Sequence, residues 1–116
     1  MDRSTFLYSV RWRNIDYESI TGGHFNRTTF IATRDGIFSF FVHVDQRSQN
    51  EGMIYLYVNN EKKAMAKGSN PNNKMGFISL RKKLLLKKAD KVHVGFLGHL
   101  YNTSQPTTYF IIESVE

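Results

Sequence analysis

The densest set of side chains able to do chemistry is Arg81, Lys82, Lys83, Lys87, Lys88 and Lys91, opposed locally by Asp90. As a site, such a cluster would hold a sulfated glycan, a phosphate or a nucleic acid through salt-sensitive contacts. For nucleic acid there is no recognition helix, ribonucleoprotein aromatic motif or zinc pattern, so a sulfated glycan is the better anionic candidate. The same lysines, flanking Leu84 to Leu86, also read as solvent-facing guards that keep a strand edge from pairing with other chains. The net charge of +6 favours an anionic partner in the same unspecific way.

The remaining reactive residues do not assemble into a catalytic pattern. Of the four histidines, His24 falls in a turn, His43 in an apolar strand, and His93 and His99 have no third ligand at metal spacing. No histidine is paired with both a nucleophile and an orienting acid. Asp16, Glu18, Asp45 and Glu51 lie in or near loops without the spacing of a calcium-binding loop, and read as solvated carboxylates. Cysteine is absent, which removes disulfides, thiolate metal sites and cysteine nucleophiles. Tyr55, Tyr57 and Tyr101 are candidates for stacking on a sugar or a protein partner, or for cross-strand surface pairs. Asn26-Arg27-Thr28 and Asn102-Thr103-Ser104 match the acceptor pattern for N-linked glycans. Binding, not catalysis, is the expected activity.

The elements that must position these residues are strands. With 116 residues, 14% aromatics and two prolines, the chain is long enough for one core and is read as a single domain, residues 1–116. It contains no run of eighteen apolar residues that would span a membrane and no apolar leader near Met1, so membrane insertion is not expected. The organising stretch is Asp35 to Val44. Asp35-Gly36 is a turn pair, and the residues after it are rich in β-branched and aromatic types. Alternation sends Phe38, Phe40, Val42 and Val44 to one face and Ile37, Ser39, Phe41 and His43 to the other. Both faces are mostly apolar, so the second is expected under another layer or another subunit.

Around it, Tyr8, Val10 and Trp12 alternate with Ser9, Arg11 and Arg13. Two short strands lead from His24 to Ala32. Met53 to Val58 turns back at Asn59-Asn60 into Lys62 to Lys67, with Ile54, Leu56 and Val58 inward and Tyr55 and Tyr57 outward. Met75 to Leu80 and Leu84 to Leu86 read as separate short strands. Lys87 to Asp90 is a turn, Lys91 to Leu97 a strand with Val92, Val94 and Phe96 inward, and Thr107 to Val115 closes the chain. Loops are expected over Asp45 to Gly52, Gly68 to Asn73 and Asn102 to Pro106. Nine or ten short strands and no helix describe an all-β sandwich.

Three stretches resemble the globular head domain of the complement C1q family. The first is Gly23-His24-Phe25, Phe30, Gly36-Ile37-Phe38-Ser39-Phe40 and His43-Val44. The second is the hairpin Leu56-Tyr57-Val58-Asn59-Asn60-Glu61-Lys62. The third is Leu84-Leu85-Leu86-Lys87-Lys88-Ala89-Asp90-Lys91-Val92, where Ala89 stands at the family's usual glycine. The turn between Phe25 and Phe30 is shorter than the family's, and Thr108 to Ile112 lacks its terminal glycine. The resemblance implies a jelly-roll sandwich of about ten antiparallel strands, related to the tumour necrosis factor ligands and assembled as a homotrimer. It implies a secreted recognition module that binds a protein or an anionic glycan multivalently. In such a trimer Ile37, Phe41 and His43 would face sister subunits; alternatively they pack beneath a neighbouring part of the same chain. Calcium is implied by the resemblance alone. A receptor-binding ligand, a structural trimerisation head and a monomeric carbohydrate-binding sandwich are the competing readings. The loops expected to carry contacts are Gln46 to Gly52, Gly68 to Lys74 and His99 to Pro106, with Tyr101 in the last.

Overall fold

The computed structural model describes residues 7–9, 12, 19–20, 22–46, 52–68, 76–97 and 108–115. Ten strands follow one another: β1 Leu7–Ser9, β2 Ser19–Ile20, β3 Gly23–Phe25, β4 Thr29–Ala32, β5 Gly36–Gln46, β6 Met53–Val58, β7 Glu61–Lys67, β8 Gly76–Leu86, β9 Lys91–Leu97 and β10 Tyr109–Val115. They form two antiparallel sheets. One has three strands in the order β10-β5-β8, and the other seven in the order β2-β3-β4-β9-β6-β7, with β1 also paired to β9. The architecture is an all-β jelly-roll sandwich, with no helix among the described residues.

The turns follow from residue type. Asn59 and Asn60 both take positive φ, 51° and 68°, as a two-residue hairpin between β6 and β7 requires. Ala89, in the β8–β9 turn, is held at φ 78°, so the resemblance's glycine position is indeed left-handed here. At Gly23 a side chain has no room, because an added Cβ would overlap the Phe30 ring.

The core lies between the sheets. Phe38, Phe40, Val42 and Val44 of β5 are fully buried, as are Ile54 and Leu56 of β6 and Val92, Val94 and Phe96 of β9. The two layers are joined by aromatic rings. Phe30 of the larger sheet meets Phe38 and Phe40 of the smaller at centroid distances of 5.3 and 5.9 Å. Phe110 of β10 meets Phe40, Phe25 and Trp12 at 6.1, 5.8 and 5.6 Å. Edge-to-face and tilted contacts of this kind add to simple area burial.

Three expectations are corrected. Met75 to Leu80 and Leu84 to Leu86 are not two strands: β8 runs unbroken over 11 residues, each paired with β5. Arg81, Lys82 and Lys83 continue the ladder because β8 is an edge strand, where their charged ends reach solvent. β5 likewise extends through Asp45 and Gln46, which the β8 pairing recruits from the expected loop. Tyr55 points outward as expected, yet is only 7% exposed. It stands opposite Gly95, whose missing side chain leaves room for the ring, and Lys62 Nζ covers it 4.4 Å from the centroid. The second face of β5, expected under another layer or another subunit, leaves Ile37 45% exposed and Phe41 and His43 half-buried in the single chain.

Phe40→Ala removes the ring that touches both layers, and should cost about 3–5 kcal/mol of a total near 5–15 kcal/mol. A denaturant titration showing an unchanged midpoint would place the core elsewhere.

Candidate interface on the three-stranded sheet

Because pairing is antiparallel and in register, residues directly opposite one another share a face. On the side of β10-β5-β8 turned away from the core, four rows follow: Tyr109, His43 and Ser79; Ile111, Phe41 and Arg81; Glu113, Ser39 and Lys83; Val115, Ile37 and Leu85. Phe77 extends this face along β8.

The rows are bound laterally. The His43 ring stacks at 5.2 Å on Tyr109 and at 5.2 Å on Phe77, and its Nδ1 lies 2.6 Å from Ser79 Oγ. Phe41 meets Tyr109 edge-on at 5.8 Å, and the Arg81 guanidinium lies 4.5 Å from the Phe41 centroid. Ile37, Phe77, Leu85 and Ile111 are 45%, 60%, 77% and 42% exposed. Of the large hydrophobic side chains exposed among the described residues, only Met65 lies elsewhere, on β7. Two apolar zones therefore lie on this face, one around Phe41, His43, Phe77, Tyr109 and Ile111 and one of Ile37, Leu85 and Val115, with the polar row Glu113-Ser39-Lys83 between them; exposed clusters of this kind mark candidate contact surfaces. The charges of the face are segregated. Arg81 and Lys83 line the β8 margin, and Glu113 the β10 margin.

The sequence-predicted residues divide accordingly. Ile37, Phe41 and His43 come together on this face, with Arg81 and Lys83 at its rim. Lys82 points the other way, in register with Phe40, and is exposed at the sandwich edge. Lys87 and Lys88 occupy the β8–β9 turn, and Lys91 opens β9 in the other sheet. The six cations therefore do not form one patch. Tyr101 and most of the three candidate loops lie outside the described residues, as do Asp16, Glu18 and Glu51. Alternation along the closing strand places Tyr109, Ile111 and Glu113 on one face, as the register confirms, but does not mark them as interface residues, and Phe77, Leu85 and Ser79 carry no such mark either. For the three β8 residues the alternation on either side, Ile78 and Leu80 before and Leu84 and Leu86 after, keeps one phase across Arg81-Lys82-Lys83, and that shared phase is the signal of a single strand.

The basic turn is fixed by carboxylates. Lys87 N–H donates to Asp90 Oδ2 at 2.8 Å, Asn59 Nδ2 donates to Asp90 Oδ1 at 2.9 Å, and Lys88 N–H donates to Asp35 Oδ1 at 2.7 Å. The Lys87 amide, then the Asn59 amide, hold the Asp90 carboxyl below its ordinary value of 3.8. On the outer side of the larger sheet, His93 stacks on Tyr57 at 4.7 Å with only 7° between the ring planes. Burial pushes its pKa below the ordinary 6.5. Among the described residues no three His, Asp or Glu side chains gather as a metal site.

With this geometry, the molecule resembles solved structures of one architecture. A crystal structure of murine APRIL at pH 5.0 superposes with a TM-score of 0.75 at 13% identity, covering 91% of this chain and 85% of that one. The fold is a tumour-necrosis-factor-like jelly roll. A second murine APRIL crystal structure, at pH 8.5, gives a TM-score of 0.72 at 9% identity, covering 96% of this chain and 88% of the other. The structure of Eiger TNF from S. frugiperda gives 0.62 at 19% identity over 78% and 66%. At these identities the likeness is one of fold. No protein-family model matches the sequence, and no curated protein sequence does.

Two groups couple this jelly roll to acid, His93 and Asp90. The unfolded chain protonates His93 near 6.5 while the folded one resists, so stability falls as pH drops through that value. Asp90 stays ionised in the fold below 3.8, so its contribution is present above that pH and is lost beneath it. Denaturation midpoints measured from pH 8 to pH 3 should decline in two stages. His93→Phe should flatten the first and Asp90→Asn the second; an unaltered profile in either variant would refute that assignment.

Proposed function

We propose that the chain is a non-enzymatic, extracellular recognition head that assembles as a homotrimer through the outer face of β10-β5-β8. The observation that carries this reading is the gathering of Ile37, Phe41, Phe77, Leu85 and Ile111 on one sheet face of a jelly roll. Burying these side chains against sister copies removes apolar area from water, the main favourable term in association. The separation of Arg81 and Lys83 from Glu113 gives the face a polarity that a head-to-tail contact can match, and such a contact forms a closed trimer when its rotation is a third of a turn. Three copies of every loop and turn would then point the same way, and weak contacts to a protein or anionic glycan would add by avidity.

The C1q-like motifs favour a pattern-binding head within this reading. A second reading, a receptor-binding ligand, is supported by the fold shared with Eiger TNF. Salt separates the two: contacts made through Lys82, Lys87, Lys88 and Lys91 weaken steeply with ionic strength, whereas an apolar receptor contact does not.

Phe41→Glu and Ile111→Glu place a charge in the middle of the face. Each should yield a folded monomer by sedimentation velocity, with the circular dichroism spectrum unchanged. Met65→Glu, exposed on β7, should leave the assembly intact. Equal masses for all three variants would overturn the proposed interface.

A further inference from the structure

The described residues hold one acceptor motif that neither self-association nor partner binding uses: Asn26-Arg27-Thr28, in the turn joining β3 to β4. Phe25 and Phe30 form the last rung of that hairpin, and Asn26 N–H donates to the Thr29 carbonyl at 3.1 Å to close it. Both rings at the base are buried, whereas Asn26 and Arg27 are exposed. The turn is also tied down from outside. Trp12 N–H donates to the Arg27 carbonyl at 2.8 Å, and Arg27 Nη1 donates to the Trp12 carbonyl at 3.4 Å.

The Asn26 amide has a defined orientation. Its side-chain carbonyl accepts from Thr29 N–H at 2.9 Å, Thr28 N–H at 3.3 Å and the Thr28 hydroxyl at 3.2 Å. Two of these donors are backbone N–H groups, and an NH2 group cannot accept from them, so the oxygen is the inward atom. The Nδ2 group is then turned away from the hairpin, on an exposed residue. A substituent on Nδ2 would leave all three of these hydrogen bonds in place and would displace none of the buried rings.

We infer that Asn26 is an N-linked glycosylation site whose sugar chain projects from the β3–β4 turn. In the transfer, the C1–O bond of a lipid-pyrophosphate-linked oligosaccharide breaks and a C1–Nδ2 bond forms. Nδ2 loses one proton to solvent, and the lipid pyrophosphate leaves. The inference rests on the extracellular reading for access to such a donor. It adds a constraint to that reading: β3 and β4 belong to the seven-stranded sheet, so the glycan stands on the layer opposite the proposed self-association face. The modified protein should therefore assemble as the unmodified one does. The second acceptor pattern, at Asn102, lies outside the described residues.

The test is expression of the full chain behind a supplied secretion signal in insect cells, followed by intact-mass analysis and peptide mapping of the secreted protein. Treatment with peptide N-glycosidase converts a modified asparagine to aspartate and so marks its position. The expected result is conversion at Asn26, lost in Thr28→Val and retained in Thr28→Ser. The Ser variant keeps the hydroxyl, so it separates loss of the acceptor from loss of the fold. Secreted protein unmodified at Asn26, or modified at Asn102 alone, would overturn the inference. Because export is driven by the supplied signal, that failure leaves the extracellular reading standing. The latter is judged separately, by whether the native chain is found outside the cells that make it.

Discussion

Phe40 stands where the two sheets meet, its ring 5.9 Å from Phe30 of one layer and 6.1 Å from Phe110 of its own. Its position follows from alternation along β5, which puts Phe38, Phe40, Val42 and Val44 into the interior with no exposure at all. The same alternation has an unavoidable counterpart. The alternate residues point out of the sandwich, and there the sequence places Ile37, Ser39, Phe41 and His43. A shift of one residue in register would exchange the two sets. That shift is opposed by the ladder with β8, which pairs every residue from Gly36 to Gln46. The buried face and the exposed apolar face are thus two results of one constraint.

From this constraint the rest of the small sheet acquires its character. β8 and β10 must match β5 rung for rung, so Leu85, Phe77, Ile111 and Tyr109 are brought onto the outward side. The lateral stacking of Phe77, His43 and Tyr109 gives that side a defined relief. The charged margins bound it. The outer side of the larger sheet is different in kind: its Tyr55, Tyr57 and His93 pair with one another or with Lys62, and Tyr55 is already buried. Among the described residues, four of the five exposed large hydrophobic side chains lie on the small sheet's outer face.

Much of this was legible from residue order. β5 and β6 announce themselves by runs dense in β-branched and aromatic residues, β9 by the alternation of Val92, Val94 and Phe96, and the Asn59-Asn60 turn by its tolerance of positive φ. What was hidden was hidden for physical reasons. Arg81-Lys82-Lys83 looks like a break, because charged runs normally end a strand, yet at a sheet edge the backbone can pair on one side while the side chains stay wet. Tyr55 looks exposed by parity, but its burial depends on Gly95, a residue distant in sequence and adjacent only after folding. The basic cluster looks like one site because its six members fall within eleven residues. Alternation and a left-handed turn at Ala89 then distribute them over two sheets.

The central claim is that the outward face of β10-β5-β8 is covered by other copies of the chain. Light scattering on the wild-type protein, at moderate salt and over a range of concentrations, tests it most directly. The account predicts a particle of three chain masses that persists on dilution. A single chain mass at every concentration would contradict it, and would leave the apolar face as a site for a different partner.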